Sequence, residues 1–274
     1  MQDLRVSLVQ GDTRWHDPEG NRAYYGRLIE PLAGQTDLVV LPETFTSGFS
    51  NEAIAHAEDM HGPTLDWLLE TSRRLDAAIT GSVQLRADGA QGEGVYNRLL
   101  FVTPEGDVHY YDKRHLFRYA NEHERYAAGN AQRVVTWRGW RIMPLVCYDL
   151  RFPVWIRNRH DDDAAGGMAY DLLLFVANWP TPRRTAWRTL LRARAIENLA
   201  CCVGVNRVGI DGNGHAYSGD SVALDPLGEP LVDLGAQEQV VTVTLDASQL
   251  LEHRRHFPAW MDADAFELLP PTAK

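Results

Sequence analysis

Short runs of apolar and β-branched residues recur along the chain, and segments with a helical repeat separate several of them. Strands are predicted over 5–10, 37–42, 77–85, 96–103 and 108–112, then over 141–147, 171–177, 200–208, 218–224 and 239–245. Three of them hold unbroken apolar runs (LVVLP, PLVCY and LLLFVA), as expected of strands covered on both faces. A helix is predicted over 18–33, with Pro18 at its first position behind Asp17 as cap. A second is predicted over 64–75, with Leu65, Leu68, Leu69 and Leu75 at helical spacing. A third, over 185–199, puts Trp187, Leu190, Leu191, Ala195 and Leu199 roughly on one face. Strands alternate with helices through two-thirds of the chain and dominate the rest, which predicts a single α/β domain with one or two large sheets. No sequence repeat and no long linker is visible. DDDAAGG (161–167) is expected to be a surface loop, GIDGNG (209–214) a hairpin turn, and the tail from Leu269, with Pro270 and Pro271, loosely held.

Composition narrows the partners. The 274 residues carry 27 Lys and Arg against 37 Asp and Glu, a net charge of −10, with no dense basic stretch, so nucleic-acid binding is not expected. Three cysteines, two of them the adjacent Cys201 and Cys202, make no disulfide framework and suggest a reducing compartment. Cys201 and Cys202 are expected to pack in a strand, though one of them could face a site. The N-terminus MQDLRVSLVQG has neither the cationic region nor the apolar run of a signal peptide, and eighteen consecutive apolar residues occur nowhere. A cytoplasmic protein without membrane association is the expectation.

Several motifs carry no chemistry. GIDGNG lacks the spacing of a dinucleotide fingerprint, Asp161, Asp162 and Asp163 lack a calcium-loop pattern, and His253 and His256 lack a third ligand. No GxSxG elbow is present. Cys147 is different: it ends the apolar run 142–146, where a following turn can aim backbone N–H groups at one point. There it is either a small buried hydrophobe or a nucleophile awaiting a base. Glu43, behind LVVLP, is either a solvated loop acid or a half-buried base, and Lys113, just after the strand at 108–112, could be an ordinary surface charge.

Taken together, Glu43, Lys113 and Cys147, 70 and 34 residues apart and each at a strand end, resemble the Glu-Lys-Cys triad of the nitrilase superfamily of carbon–nitrogen hydrolases. The surrounding phrases match too: LPE at Glu43, DKRHLF at Lys113, CYDLRFP from Cys147, then RARAIEN (192–198) and SGDSVALDPLGE (218–229). The resemblance runs from the first strand to about Leu245. It implies a four-layer αββα sandwich, with residues 1–262 as the hydrolase domain and 263–274 as a tail, and a homodimer. It implies Glu43 as general base, Lys113 and the backbone N–H of Tyr148 as oxyanion donors, and Cys147 as the nucleophile that forms a thioester, with no metal or organic cofactor. The family's second glutamate stands about seven residues before a glycine, which selects Glu122 ahead of Gly129 over Glu124. Asp149 and Arg151 are expected to pin the turn after the nucleophile, and Arg194, Glu197 and Asn198 to brace it.

CYDLRFPVW followed by NWPTPR resembles the bacterial omega-amidases within this superfamily. That implies a small-molecule substrate: the terminal amide of an α-keto acid amide such as 2-oxoglutaramate or 2-oxosuccinamate. Its carboxylate needs a cation, for which Arg183 is the candidate unless it caps a helix, with Phe117, Tyr119 and Trp179 as walls. A nitrilase, an aliphatic amidase or an N-carbamoyl amino-acid hydrolase would use the same triad. An acyltransferase would be expected to add membrane segments, and a silent binding protein to have lost a triad member.

Overall fold

The computed structural model describes residues 1–89, 92–161 and 167–269. The expectations for the interior of DDDAAGG and for the tail beyond Leu269 lie outside the described residues. Sheet one runs through β1 (Leu4–Gln10), β2 (Leu38–Val40), β3 (Ala78–Gly89), β4 (Gly92–Val102) and β5 (Val108–Asp112). In sheet two lie β6 (Val135–Trp137), β7 (Trp140–Val146), β8 (Leu172–Ala177) and β9 (Cys201–Asn206). The chain continues through a small hairpin, β10 (Val208–Ile210) and β11 (Ala216–Ser218). It returns to sheet two in β12 (Val222–Leu224) and β13 (Pro230–Asp233), and closes sheet one with β14 (Gln239–Leu245).

The sheets lie back to back. Leu38 and Val40 of β2 point into the core shared with Ile142, Leu174 and Val176 of sheet two. Val39, between them, points instead at α1 (Pro18–Ile29) and α2 (Pro63–Leu75). That two-sided burial explains the unbroken apolar run in a three-residue strand. After α3 (Pro153–Ile156), the far face of sheet two is covered by α4 (Arg184–Asn198), through Trp187, Leu191 and Ala195. The last helix, α5 (Ala247–His256), is tied to the segments that lead into β8 and β9, where Arg254 donates to Tyr170 O and Leu199 O. The result is a single-domain αββα sandwich. Among the described residues no helix is long and apolar enough to cross a membrane.

Both sheets follow one plan. Sheet one has the order β14-β1-β2-β3-β4-β5 and sheet two β6-β7-β8-β9-β12-β13. In each, the second, third and fourth strands are mutually parallel and all other pairings are antiparallel. The chain therefore carries an architectural repeat that its sequence conceals.

Element ends differ from expectation for local reasons. The first helix stops at Ile29 and gives way to a 3-10 turn, Glu30–Leu32, because Pro31 has no N–H to continue the ladder. Its start is as read, with the Asp17 side chain accepting from the Gly20 N–H at 2.9 Å. The strand expected over 200–208 breaks at Arg207. The one expected over 218–224 breaks at Gly219 and Asp220, both with positive φ (64° and 56°). GIDGNG does form the β10–β11 turn. The edge strands β6 and β13 and the helix α5 were not anticipated.

Candidate active site

Four of the predicted side chains meet at one end of the sandwich. Glu43 stands three residues beyond β2, Lys113 follows β5, Glu122 opens a 3-10 turn (Glu122–Glu124), and Cys147 follows β7. Glu43, Lys113 and Glu122 are 0%, 1% and 0% exposed, whereas Cys147 is partly accessible. Lys113 Nζ donates to Glu43 Oε1 at 2.9 Å and to both Glu122 oxygens at 3.0 and 2.9 Å. Glu124, the rejected alternative, is exposed.

Gly129 shows why a glycine follows at that distance. Its N–H donates to Lys113 O at 2.9 Å, and a Cβ there would lie 2.1 Å from Asp112 O. Only glycine lets the returning loop approach the strand end that carries the lysine.

Cys147 has φ +45°, a left-handed conformation uncommon outside glycine, at the start of the 3-10 turn Cys147–Arg151. Two anchors hold this bend. The buried Asp149 carboxylate accepts from the Val146 N–H (3.0 Å), the Tyr111 hydroxyl (2.8 Å) and the His115 N–H (3.0 Å), tying the cysteine turn to the lysine loop. Arg194 of α4 grips Leu150 O through Nε and Nη2 at 3.1 and 2.7 Å and pairs with Glu197 at 2.9 Å, while Asn198 Oδ1 accepts from the Asn158 N–H. The N–H of Tyr148 lies in the first turn of this segment, where N–H groups have no acceptor within the helix.

Electrostatics set the resting state. Burial opposes charge on Lys113, but Glu122 and Glu43 outweigh it and raise the ammonium above its ordinary range. Burial raises Glu122 above an ordinary carboxylate against the pull of Lys113. Burial also pushes the Cys147 thiol well up; Glu43 adds to the rise and Lys113 opposes it. Two carboxylates share one ammonium, leaving no spare positive charge for a resting thiolate. Ultraviolet titration at 240 nm should accordingly show no thiolate from Cys147 at pH 7, with ionisation only well above the ordinary thiol value of about 8.5. A thiolate titrating near neutrality would contradict this.

A pocket of about 490 Å³ opens over Glu43, Lys113 and Cys147. Phe117, Tyr119, Trp179 and Arg183 all line it. The Arg183 side chain does not cap α4; its guanidinium lies over the rings of Phe117 (5.2 Å) and Tyr119 (5.6 Å). Arg151 corrects an expectation: instead of pinning the turn, its guanidinium lies over Trp179 at 4.9 Å and faces the pocket. Among the described residues neither arginine has a carboxylate partner.

Sequence reasoning missed the residues that orient the carboxylates. The Asn178 N–H donates to Glu43 Oε2 at 2.7 Å, and its side-chain amide donates to Glu43 O and Thr44 Oγ1 at 2.6 and 2.9 Å. Asn178 follows β8 as Glu43 follows β2, so the matching central strands of the two sheets meet at the site. Asn97 on β4 reaches Glu43 from the other side. For Asn97 the available signal was a polar residue inside the strand predicted over 96–103, which must be hydrogen-bonded wherever it is buried.

Comparison with known proteins agrees with this architecture. The carbon-nitrogen hydrolase family model matches residues 5–255, and the chain belongs to that family within the nitrilase superfamily. It is 48% identical over 271 residues to the omega-amidase YafV of Escherichia coli K12, covering 98% of this chain and all of that one. It is 32% identical over 260 residues to a 2-oxoglutaramate amidase of Bacillus subtilis, covering 94% and 96% of the two chains. The crystal structure of XC1258 from Xanthomonas campestris, a CN-hydrolase superfamily protein with an arsenic adduct in its active site, superimposes with a TM-score of 0.94. It shares 64% sequence identity, over 98% of this chain and all of that one. The chain is a hydrolase acting on carbon–nitrogen bonds, of the amidase kind.

Proposed function

We propose that this chain is an omega-amidase, hydrolysing the terminal amide of α-keto acid amides such as 2-oxoglutaramate and 2-oxosuccinamate to the dicarboxylate and ammonia. The carrying observation is the pocket itself: its floor presents Cys147, Glu43 and Lys113, and its wall presents the guanidinium of Arg183 on two aromatic faces. A substrate with an amide at one end and a carboxylate at the other fits that division. Relatives named omega-amidase and 2-oxoglutaramate amidase support the same reading.

The steps follow from proton and charge bookkeeping. Cys147 Sγ attacks the amide carbon as its proton passes to Glu43, and the carbonyl oxygen becomes an oxyanion facing Lys113 Nζ and the Tyr148 N–H. As the C–N bond breaks, Glu43 returns the proton to nitrogen and ammonia leaves, so that a thioester remains on Cys147. Water then gives a proton to Glu43 and attacks the thioester carbon; the C–S bond breaks and Sγ recovers the proton. Glu122 holds the ammonium in place. Throughout, the hydrogen bond from the Asn178 N–H orients the Glu43 carboxylate.

The test is ammonia release from 2-oxosuccinamate, measured beside a simple aliphatic nitrile and beside Cys147→Ala. Release from the keto amide far above the nitrile, lost in the variant, is expected; faster turnover of the nitrile would overturn the substrate assignment. Arg183→Ala should raise KM for 2-oxosuccinamate about 10- to 100-fold, the loss of a charge-assisted hydrogen bond, with little change for a neutral amide. Equal losses on both substrates would remove Arg183 from carboxylate recognition. A homodimer belongs to the same reading, and light scattering should give about twice the 30.8 kDa chain mass.

A further inference from the structure

We infer that Asn97 is a positioning residue for the base, a neutral clamp that holds the Glu43 carboxylate against Glu122. Asn97 lies on β4 directly across from Lys113, whose N–H donates to Asn97 O at 3.0 Å, so the two side chains share one face. Asn97 Nδ2 donates to Glu43 Oε1 at 2.8 Å and to Glu122 Oε1 at 3.3 Å. Lys113 Nζ contacts the same two oxygens at 2.9 and 3.0 Å. Two like-charged atoms are thus bridged twice, once by an ammonium and once by an uncharged amide.

The amide orientation is settled by its neighbours, because a flipped Asn97 would set Oδ1 against both carboxylates. In the orientation observed, Oδ1 is buried with no partner among the described residues. The side chain therefore leaves one of its own atoms unsatisfied to serve the two glutamates. An amide restrains Oε1 without adding a charge and leaves Oε2, held by the Asn178 N–H, for proton transfer with the thiol.

The ionisable groups facing Glu43 are Lys113, Glu122 and Cys147, with Tyr126 and Tyr217 also within its field. Both tyrosines are raised, by burial above all, and stay neutral through the range that matters. Removing a donor from Glu43 should raise its proton affinity and shift the acid limb of any process it assists towards higher pH.

This inference rests on Glu43 acting as the base, and the experiment separates the two claims. Alkylation of Cys147 by iodoacetamide is followed against pH, which needs no knowledge of the substrate, in wild type, Asn97→Leu, Asn97→Asp, Asn97→Ser and Glu43→Gln. The acid limb should move up by about half a pH unit or more in Asn97→Leu and further in Asn97→Asp, with partial return in Asn97→Ser, which keeps a donor. An unmoved limb in Asn97→Leu beside a lost limb in Glu43→Gln would overturn the clamp alone. A wild-type profile in Glu43→Gln would overturn the base assignment and the clamp with it. If Asn97→Leu does not fold, the limb positions of the Asp and Ser variants decide, and failure of all three to fold would overturn the clamp in favour of a packing role.

Discussion

Glutamine in place of Glu43 should slow ammonia release by about 10⁴-fold, the upper end of what general acid–base catalysis supplies, because in the proposed mechanism one carboxylate serves both halves of the reaction. The substitution keeps shape and volume, so the effect should fall on kcat with the fold retained. It leaves a mismatch, since the carboxamide cannot accept at both ends, and either the Asn178 N–H or the Lys113–Asn97 donor pair loses its acceptor. One such lost bond costs about 1–3 kcal/mol, visible as a lowered melting temperature with a single cooperative transition. Steady-state rates on 2-oxosuccinamate together with a thermal melt check both parts. A variant within tenfold of wild type would remove Glu43 from proton transfer.

Lys113→Met should affect rate and stability together. Loss of the oxyanion donor that the proposed mechanism assigns to Lys113 should lower kcat/KM by about 10³-fold. Two buried carboxylates would lose their shared cation, and breaking a buried pair in this way costs about 3–5 kcal/mol. The stability loss should depend on pH with a definite sign. Glu122 is already raised by burial while Lys113 pulls it down, so without the lysine its folded-state value rises further. A carboxyl held above its unfolded value stabilises the fold below that value, about pH 4.3 for glutamate, and the contribution disappears as pH rises through the folded value. Chemical denaturation should therefore show the variant's deficit widening from about pH 4 towards neutrality. A constant deficit across that range would indicate lost packing instead.

How much of this could be read from the chain differs from residue to residue. The strand-end positions of Glu43, Lys113 and Cys147 were legible because each follows an apolar or β-branched run and sits in a distinctive local phrase. Glu122 was legible only through its distance to a glycine, and Gly129 shows that this distance reflects the contact of its backbone with the Asp112–Lys113 segment. Asn97 and Asn178 were not legible as site residues. Their roles come from pairings 54 and 135 residues distant in the chain, and no local pattern encodes those. Arg151 was misplaced because spacing shows that a residue follows the nucleophile but not which way its side chain turns. In the fold, strands buried on both sides announced themselves through unbroken apolar runs, even the three-residue β2, while edge strands such as Val135–Trp137 and Pro230–Asp233, half-wet, carry too little alternation to stand out.

The two matching sheets divide the chemistry between them. Glu43, Lys113, Glu122 and Asn97 lie on sheet one or in the loops that follow its strands; Cys147, the Tyr148 N–H and the Asn178 N–H belong to sheet two. The gap between the proposed base and nucleophile is therefore a caliper setting, fixed by the thickness of the apolar layer between the sheets and not by any single loop. Leu38, Val40, Leu174 and Val176, which touch no substrate, act as its spacers. Cores of this density yield little to compression and transmit strain, so a methylene removed well below the pocket would reach the reacting atoms as a change of distance.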